Sequence, residues 1–333
     1  WLEHDGEGTV YLQVLTWQPD RHEIRVYAMQ TGRPGRMELR GVAAAGDFVD
    51  KPAMDVAADG TIRISYTAAP GRDRGIFLVS SRDGGRSWSA PVRVSAPGEA
   101  GRSNGSDVAS CDGATVVAWV AEQVDGSATE LRSAMAPEPG APFGPPAVAH
   151  RFDGALPVPA GYALGVGPSA HIANNASLAC EPGSTEGGAR FHLTFTERVP
   201  SPEHSPAGGT PAPDAGAAGV EPEAASAGSR ALLLRGSPEG AALGWGESLV
   251  LGTGGGAWHA FPAVTTVVGR PAVLHYDWRH ARDGAGTDAY LSILGSHGWT
   301  PVRLSSVSTP WPDVPGDREH AMVQRNFGDY VSV

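Results

Sequence analysis

Lysine is almost absent from this chain. Among its 333 residues Lys51 is the single lysine, so nearly all of the basic charge is arginine, and acids outnumber bases to leave a formal charge of -11. That balance excludes nucleic acid or an anionic membrane surface as the main partner, because both need a basic footprint. Long apolar runs are missing too. No stretch approaches the ~20 apolar residues that cross a bilayer as a helix, so no membrane insertion is expected. The sequence opens on Trp1 without a charged-then-apolar leader, so a signal peptide is expected to be already removed or never present. With only two cysteines, Cys111 and Cys180, a disulfide-dense scaffold is excluded as well. Gly and Pro are plentiful instead, at 45 and 28 residues, an abundance that reflects genomic bias and not mechanism, and short alternating runs that read as strands lie around turn residues.

Those strands repeat. "PAMDVAADGTIRISYT" from Pro52, followed by "GIFLVSS" and "PVRVS", gives four strands around turn residues. The same pattern recurs in "SDVASCDGATVVAWVAE" with "ATELRSAM" and "PAVAH", and in "PSAHIANNASLACEPGSTEGGARFHLTFTE" with "RALLLRG" and "WGESLVLG". It recurs again in "PAVTTVVGRPAVLHYD" with "TDAYLSI" and "WTPVRLS". A fifth copy is split between the ends of the chain. "GTVYLQVLTW", "EIRVYAM" and "RMELRG" supply three strands, and "FGDYVSV" at Phe327 to Val333 supplies the first. The pattern predicts an all-β fold, a five-bladed β-propeller of four-stranded antiparallel blades, closed by pairing of N- and C-terminal strands. Predicted blades cover 328–333 plus 9–41, then 52–95, 106–150, 168–252 and 262–305, all in one domain. A β-sandwich with irregular hairpins is the competing architecture, and it leaves the split copy unexplained. Residues 199–229 are Pro, Ala, Gly and Ser with few large apolar side chains. Such a stretch cannot offset its chain entropy by burial, so a disordered insertion between second and third strands is expected.

One turn is more specific. In "SSRDGGRSW" the glycines supply positive φ, the Asp83 carboxylate can accept the turn's own N–H groups, and Trp88 can fold back over the hairpin. Ser81, Asp83, Gly85, Ser87 and Trp88 match the Asp-box pattern S-x-D-x-G-x-[S/T]-W, between a third and a fourth strand. The chain therefore resembles the sialidase-like (Asp-box, BNR-repeat) β-propeller superfamily. "HYDWRH" with "TDAY", and "FGDY", look like further phrases of bacterial members. The resemblance implies a secreted or periplasmic protein that binds a carbohydrate-like or other small ligand on the face opposite the Asp box, with glycoside hydrolase activity open. Sialidases use an arginine triad, a Tyr with a Glu, and an Asp. Here the F-R-I-P-like marker is missing and no Tyr and Glu pair stands out, while Arg279 and Arg325 fit an arginine cluster.

Loops on that opposite face carry most of the His, Trp and Asp, as functional loops on a rigid scaffold do. Asp50, Asp107 and Asp329 at inner-strand heads, with Glu197 and Asp277 at second-strand ends, are candidate catalytic carboxylates. They suit Ca²⁺ or structural pairing with arginine equally well. His171, His259 and His320, with His150 and His280 nearby, are candidate ligands for Zn or Cu, as a metal-dependent enzyme would need; hydrogen bonding between blades is the alternative. Trp258, Trp278, Trp311 and Tyr162, together with Trp17, offer sugar-stacking surfaces or blade packing. An adhesive or structural module without a small-molecule site remains the third reading. Cys111 and Cys180 fall at like places in consecutive repeats, which places them near one another as a disulfide or as two buried thiols.

Overall fold

The computed structural model describes residues 1–310 except 19, 33–34, 70–73, 98–100, 124–128, 153–175, 184–187, 199–228, 241, 252–258 and 278–285. Five antiparallel sheets follow one another along the chain. The first holds β1 (Leu2–His4), β2 (Thr9–Gln18), β3 (Arg21–Gln30) and β4 (Glu38–Gly46). The second holds β5 (Val49–Val56), β6 (Ile62–Ala68), β7 (Gly75–Ser81) and β8 (Val92–Arg93). In the third are β9 (Gly101–Cys111), β10 (Ala114–Gln123), β11 (Thr129–Ala136) and β12 (Ala147–Arg151). The fourth has β13 (Ser177–Glu181), β14 (Arg190–Arg198), β15 (Ser229–Glu239) and β16 (Ala242–Trp245), with β17 (Leu249–Val250) also on β15. Last come β18 (His259–Thr266), β19 (Pro271–Asp277), β20 (Gly286–Gly295) and β21 (Gly298–Arg303), with β22 (Thr309–Pro310) also on β20. Among the described residues no helix is long and apolar enough to cross a membrane.

Strand order within each sheet follows the chain, so each sheet is a meander of hairpins. Residues from β1, β5, β9, β13 and β18 line one cavity, which makes the first strand of every sheet the innermost and sets the five sheets as blades around an axis. The apolar core lies between the blades. Tyr11, Ile24 and Val26 of the first blade pack with Met54, Ile62 and Ile64 of the second. Val116, Leu131 and Met135 of the third meet Phe191, Leu193 and Phe195 of the fourth. Each such fully buried side chain contributes about 1.5–3 kcal/mol, and the alternation that buries one face toward each neighbour follows from the two-residue period of a strand.

Three local findings refine the sequence expectations. The innermost position beside β2 is held by Leu2–His4, paired with Val10–Leu12; the "FGDYVSV" segment expected there lies outside the described residues. β9 begins at Gly101, not at Ser106, because Gly101–Asn104 pair through their backbone with Val120–Gln123, and a backbone ladder needs no apolar side chains. The ends of the long insertion, Arg198 and Ser229, are register partners, so it leaves and re-enters between the second and third strands; residues 199–228 lie outside the description.

The Asp83 turn closes on itself. Asp83 Oδ1 accepts the Arg86 and Ser87 N–H groups at 3.0 and 2.9 Å and the Ser81 hydroxyl at 2.8 Å. Trp88 Nε1 donates to the Gly85 carbonyl at 3.0 Å. Gly84 and Gly85 have φ of 70° and 83°, which side-chain-bearing residues rarely adopt. Cys111 and Cys180 form a disulfide between the third and fourth blades, with Cα atoms 6.1 Å apart.

Candidate functional site

Two groups of polar residues are candidates for a site, one on the axis and one at the blade ends opposite the Asp83 turn. The axial cavity has a volume of about 180 Å³, and Glu3, Asp55 and Asp107 reach it from three blades. It lies toward the Asp83 side. Asp55 pairs with Arg63 and Arg63 with Ser80, so the inner strand ends in the same row that leads into the Asp83 turn.

Burial governs these carboxyls. It pushes Asp107 up to about 7, against the backbone N–H groups of Leu178 and Val108 that donate to it. Burial likewise raises Asp55 to about 6 and Glu3 to about 8, and for Glu3 the nearby Asp55 and Asp107 add repulsion. Asp55 Oδ2 is buried without a hydrogen-bond partner. The structure does not put Asp107 at a strand head, where the sequence predicts it. It sits within β9 because that strand starts earlier, and its Oδ2 accepts the Leu178 N–H at 2.8 Å across the blade seam.

The opposite face gathers the ends of the second strands and the heads of the inner ones. Glu197 is buried near the end of β14, where the Arg230 guanidinium pairs with Oε2 at 2.6 Å and His150 Nε2 lies 3.4 Å from Oε1. Burial works to raise its pKa, but His150 and Arg230 outweigh it, so the carboxylate is held below its ordinary range. His150 also packs against Phe152 and Phe195 with ring centroids 4.9 and 4.7 Å away. Asp277 ends β19, fully buried, with His259 opposite it in the register. Asp50 Oδ1 accepts the N–H of Lys51 at 2.8 Å. Lys51 has φ of 46°, a left-handed conformation uncommon for a side-chain-bearing residue, and its side chain is buried.

At the same face Trp17, near the end of β2, is 65 % exposed and stacks on His22 with ring centroids 4.7 Å apart. Of the remaining expected site residues, His171, His320, Asp329, Trp258, Trp278, Trp311, Tyr162, Arg279 and Arg325 lie outside the described residues. Among the described residues no three His, Cys, Asp or Glu side chains stand close enough to hold a metal ion. Glu3 and Asp55 were missed by the sequence reading: Asp55 hides in the alternation of "PAMDVA", and Glu3 belongs to a strand of three residues.

No protein-family model matches the chain, and no curated protein does. Solved structures do. An ulvan lyase, a polysaccharide lyase solved bound to -[GlcA(1-4)Rha3S]-, is similar at a TM-score of 0.52 and 13% identity over 93% of this chain and 71% of that one. A second structure of an ulvan lyase gives 0.51 at 13% identity, again over 93% and 71% of the two chains. The alpha-L-arabinanase of Penicillium chrysogenum, complexed with arabinobiose, gives 0.49 at 10% identity over 79% and 68%. The likeness to the lyase is one of fold. With the five-blade meander and the Asp83 turn, it agrees with the sialidase-like propeller resemblance at that level.

Proposed function

We propose that the protein binds a carbohydrate on the face opposite the Asp83 turn, where Asp50, Glu197 and Asp277 stand at strand ends. The observation that carries this reading is Glu197: a buried carboxylate kept ionised by Arg230 and His150 at the mouth of the seam between the third and fourth blades. Ionised carboxylates accept hydrogen bonds from sugar hydroxyls, and charge-assisted bonds are roughly twice as strong as neutral ones. The exposed Trp17 indole at the same face adds the apolar surface that sugar C–H groups need. The ulvan lyase of like fold carries an oligosaccharide, which agrees with this ligand class. The Cys111–Cys180 disulfide supports an oxidising, extracytoplasmic setting.

A glycan array with the wild-type protein and a Glu197→Gln variant tests the reading. Binding of at least one glycan, weakened in Glu197→Gln while the thermal midpoint stays within a few degrees, supports it. Failure of the wild type to retain any glycan contradicts it. Release of reducing ends from a retained glycan, without an unsaturated sugar at the new non-reducing ends, would add hydrolysis to binding.

A further inference from the structure

We propose that Trp17 and His22 form a sugar-stacking platform, which makes the ligand an oligosaccharide or polysaccharide chain and not a lone sugar. The inference rests on the carbohydrate reading above and assigns it a subsite. Trp17 and His22 are direct partners across the β2–β3 hairpin. Their rings lie 8° from parallel at a centroid distance of 4.7 Å, so the imidazole covers one face of the indole. Trp17 nevertheless remains 65 % exposed, and that exposed area belongs to its other face and edges.

The platform is braced from behind. His22 tilts against Phe48 at 6.1 Å, and the Arg74 guanidinium lies 5.0 Å over the Phe48 ring. Phe48 belongs to the connection between the first and second blades and Arg74 precedes β7, so the rings tie the hairpin of one blade to the next. A surface indole held in one orientation loses little conformational freedom when a ligand covers it. Its neighbours decide what that ligand is. Gln18, Asp20 and Arg21 around it are exposed and polar, whereas a protein-docking or membrane-binding patch would continue as apolar surface. A flat apolar plate with a polar rim matches a sugar ring, which has an apolar C–H face and hydroxyls at its edge. Trp17 belongs to the first blade and Glu197 to the fourth, so a ligand that reaches both crosses the face from one blade to another and spans more than one ring.

The test titrates wild type, Trp17→Ala and Trp17→Phe with arabino-oligosaccharides and ulvan oligosaccharides, each from disaccharide to hexasaccharide, by calorimetry. Because Trp17 is exposed, the variants should keep the wild-type thermal midpoint. The platform predicts that Trp17→Ala weakens the longer oligosaccharides by about tenfold or more, leaves the disaccharide nearly unaffected, and is largely rescued by Trp17→Phe. Equal affinities of wild type and Trp17→Ala at every length overturn the platform and leave the carbohydrate reading standing. A wild type that binds neither series at any length, and no glycan of the array, overturns both.

Discussion

The Leu178 N–H donates to Asp107 Oδ2 at 2.8 Å, joining the inner strands of the third and fourth blades side chain to backbone. One blade further on, the Val264 N–H donates to Ser177 Oγ at 3.1 Å. The two bonds are alike in kind: an inner-strand side chain satisfies an amide that points at the neighbouring blade and has no sheet partner there. Ser177→Ala strips the buried Val264 amide of its acceptor, and an unsatisfied buried group costs about 1–3 kcal/mol. Urea unfolding should show that loss as a lower midpoint at unchanged slope. An unchanged midpoint would mean that the blade seam does not depend on the bond.

Stability should fall as pH rises through the range in which the axial carboxyls ionise. Burial raises Asp55 to about 6, Asp107 to about 7 and Glu3 to about 8, all above the value near 4 of an unfolded chain. The folded state therefore holds more protons than the unfolded one. This contribution is fully present below about pH 4 and is lost as pH passes the folded values. Asp55→Asn removes one titration, so the melting temperature of the variant relative to wild type should rise with pH between about 4 and 6 and level off above it. A constant difference across that interval would show that Asp55 ionises in the folded protein as it does in the unfolded chain.

Reduction should loosen the contact between the third and fourth blades. The Cys111–Cys180 bridge closes a sequence separation of 69 residues, and loss of such a cross-link typically costs about 2–5 kcal/mol. A reductant or the Cys111→Ser, Cys180→Ser double variant should lower the melting temperature by similar amounts. Two alkylated thiols on the unreduced protein would contradict the bridge.

Local chemistry was legible in the sequence where it was self-contained. The Asp83 turn needs only Ser81 to Trp88, and its glycines, carboxylate and indole take the roles their types dictate. The like places of Cys111 and Cys180 in consecutive repeats put them near one another, as a bridge or as two thiols, and the structure joins them in a disulfide. What stayed hidden depends on backbone pairing or on convergence from distant strands. Gly101–Asn104 read as loop because they are glycine and polar residues, yet their backbone completes β9, and this moves Asp107 from a strand head into the strand. No spacing along the chain reveals that Glu3, Asp55 and Asp107 share one cavity. Glu197 was placed at the right strand end, but its partner Arg230 lies beyond the insertion, 33 positions away.

Asp83→Ala separates scaffold from site. Its carboxylate organises the turn through the Ser87 hydroxyl, at 2.5 Å, and the Arg86 and Ser87 N–H groups. Those two amides should exchange faster in the variant and the melting temperature should drop, while glycan binding on the far face stays at the wild-type level. Loss of glycan binding by a variant that remains folded would instead place the ligand at the turn.

Hydrogen exchange with and without a saturating oligosaccharide tests the placement of the ligand most directly. The account predicts slowed exchange in the Gln18–His22 hairpin and at the ends of β14 and β19 near Glu197 and Asp277, with the Asp83 turn unchanged. Slowed exchange confined to Ser81–Trp88, or none at any of these segments with ligand bound, would contradict it.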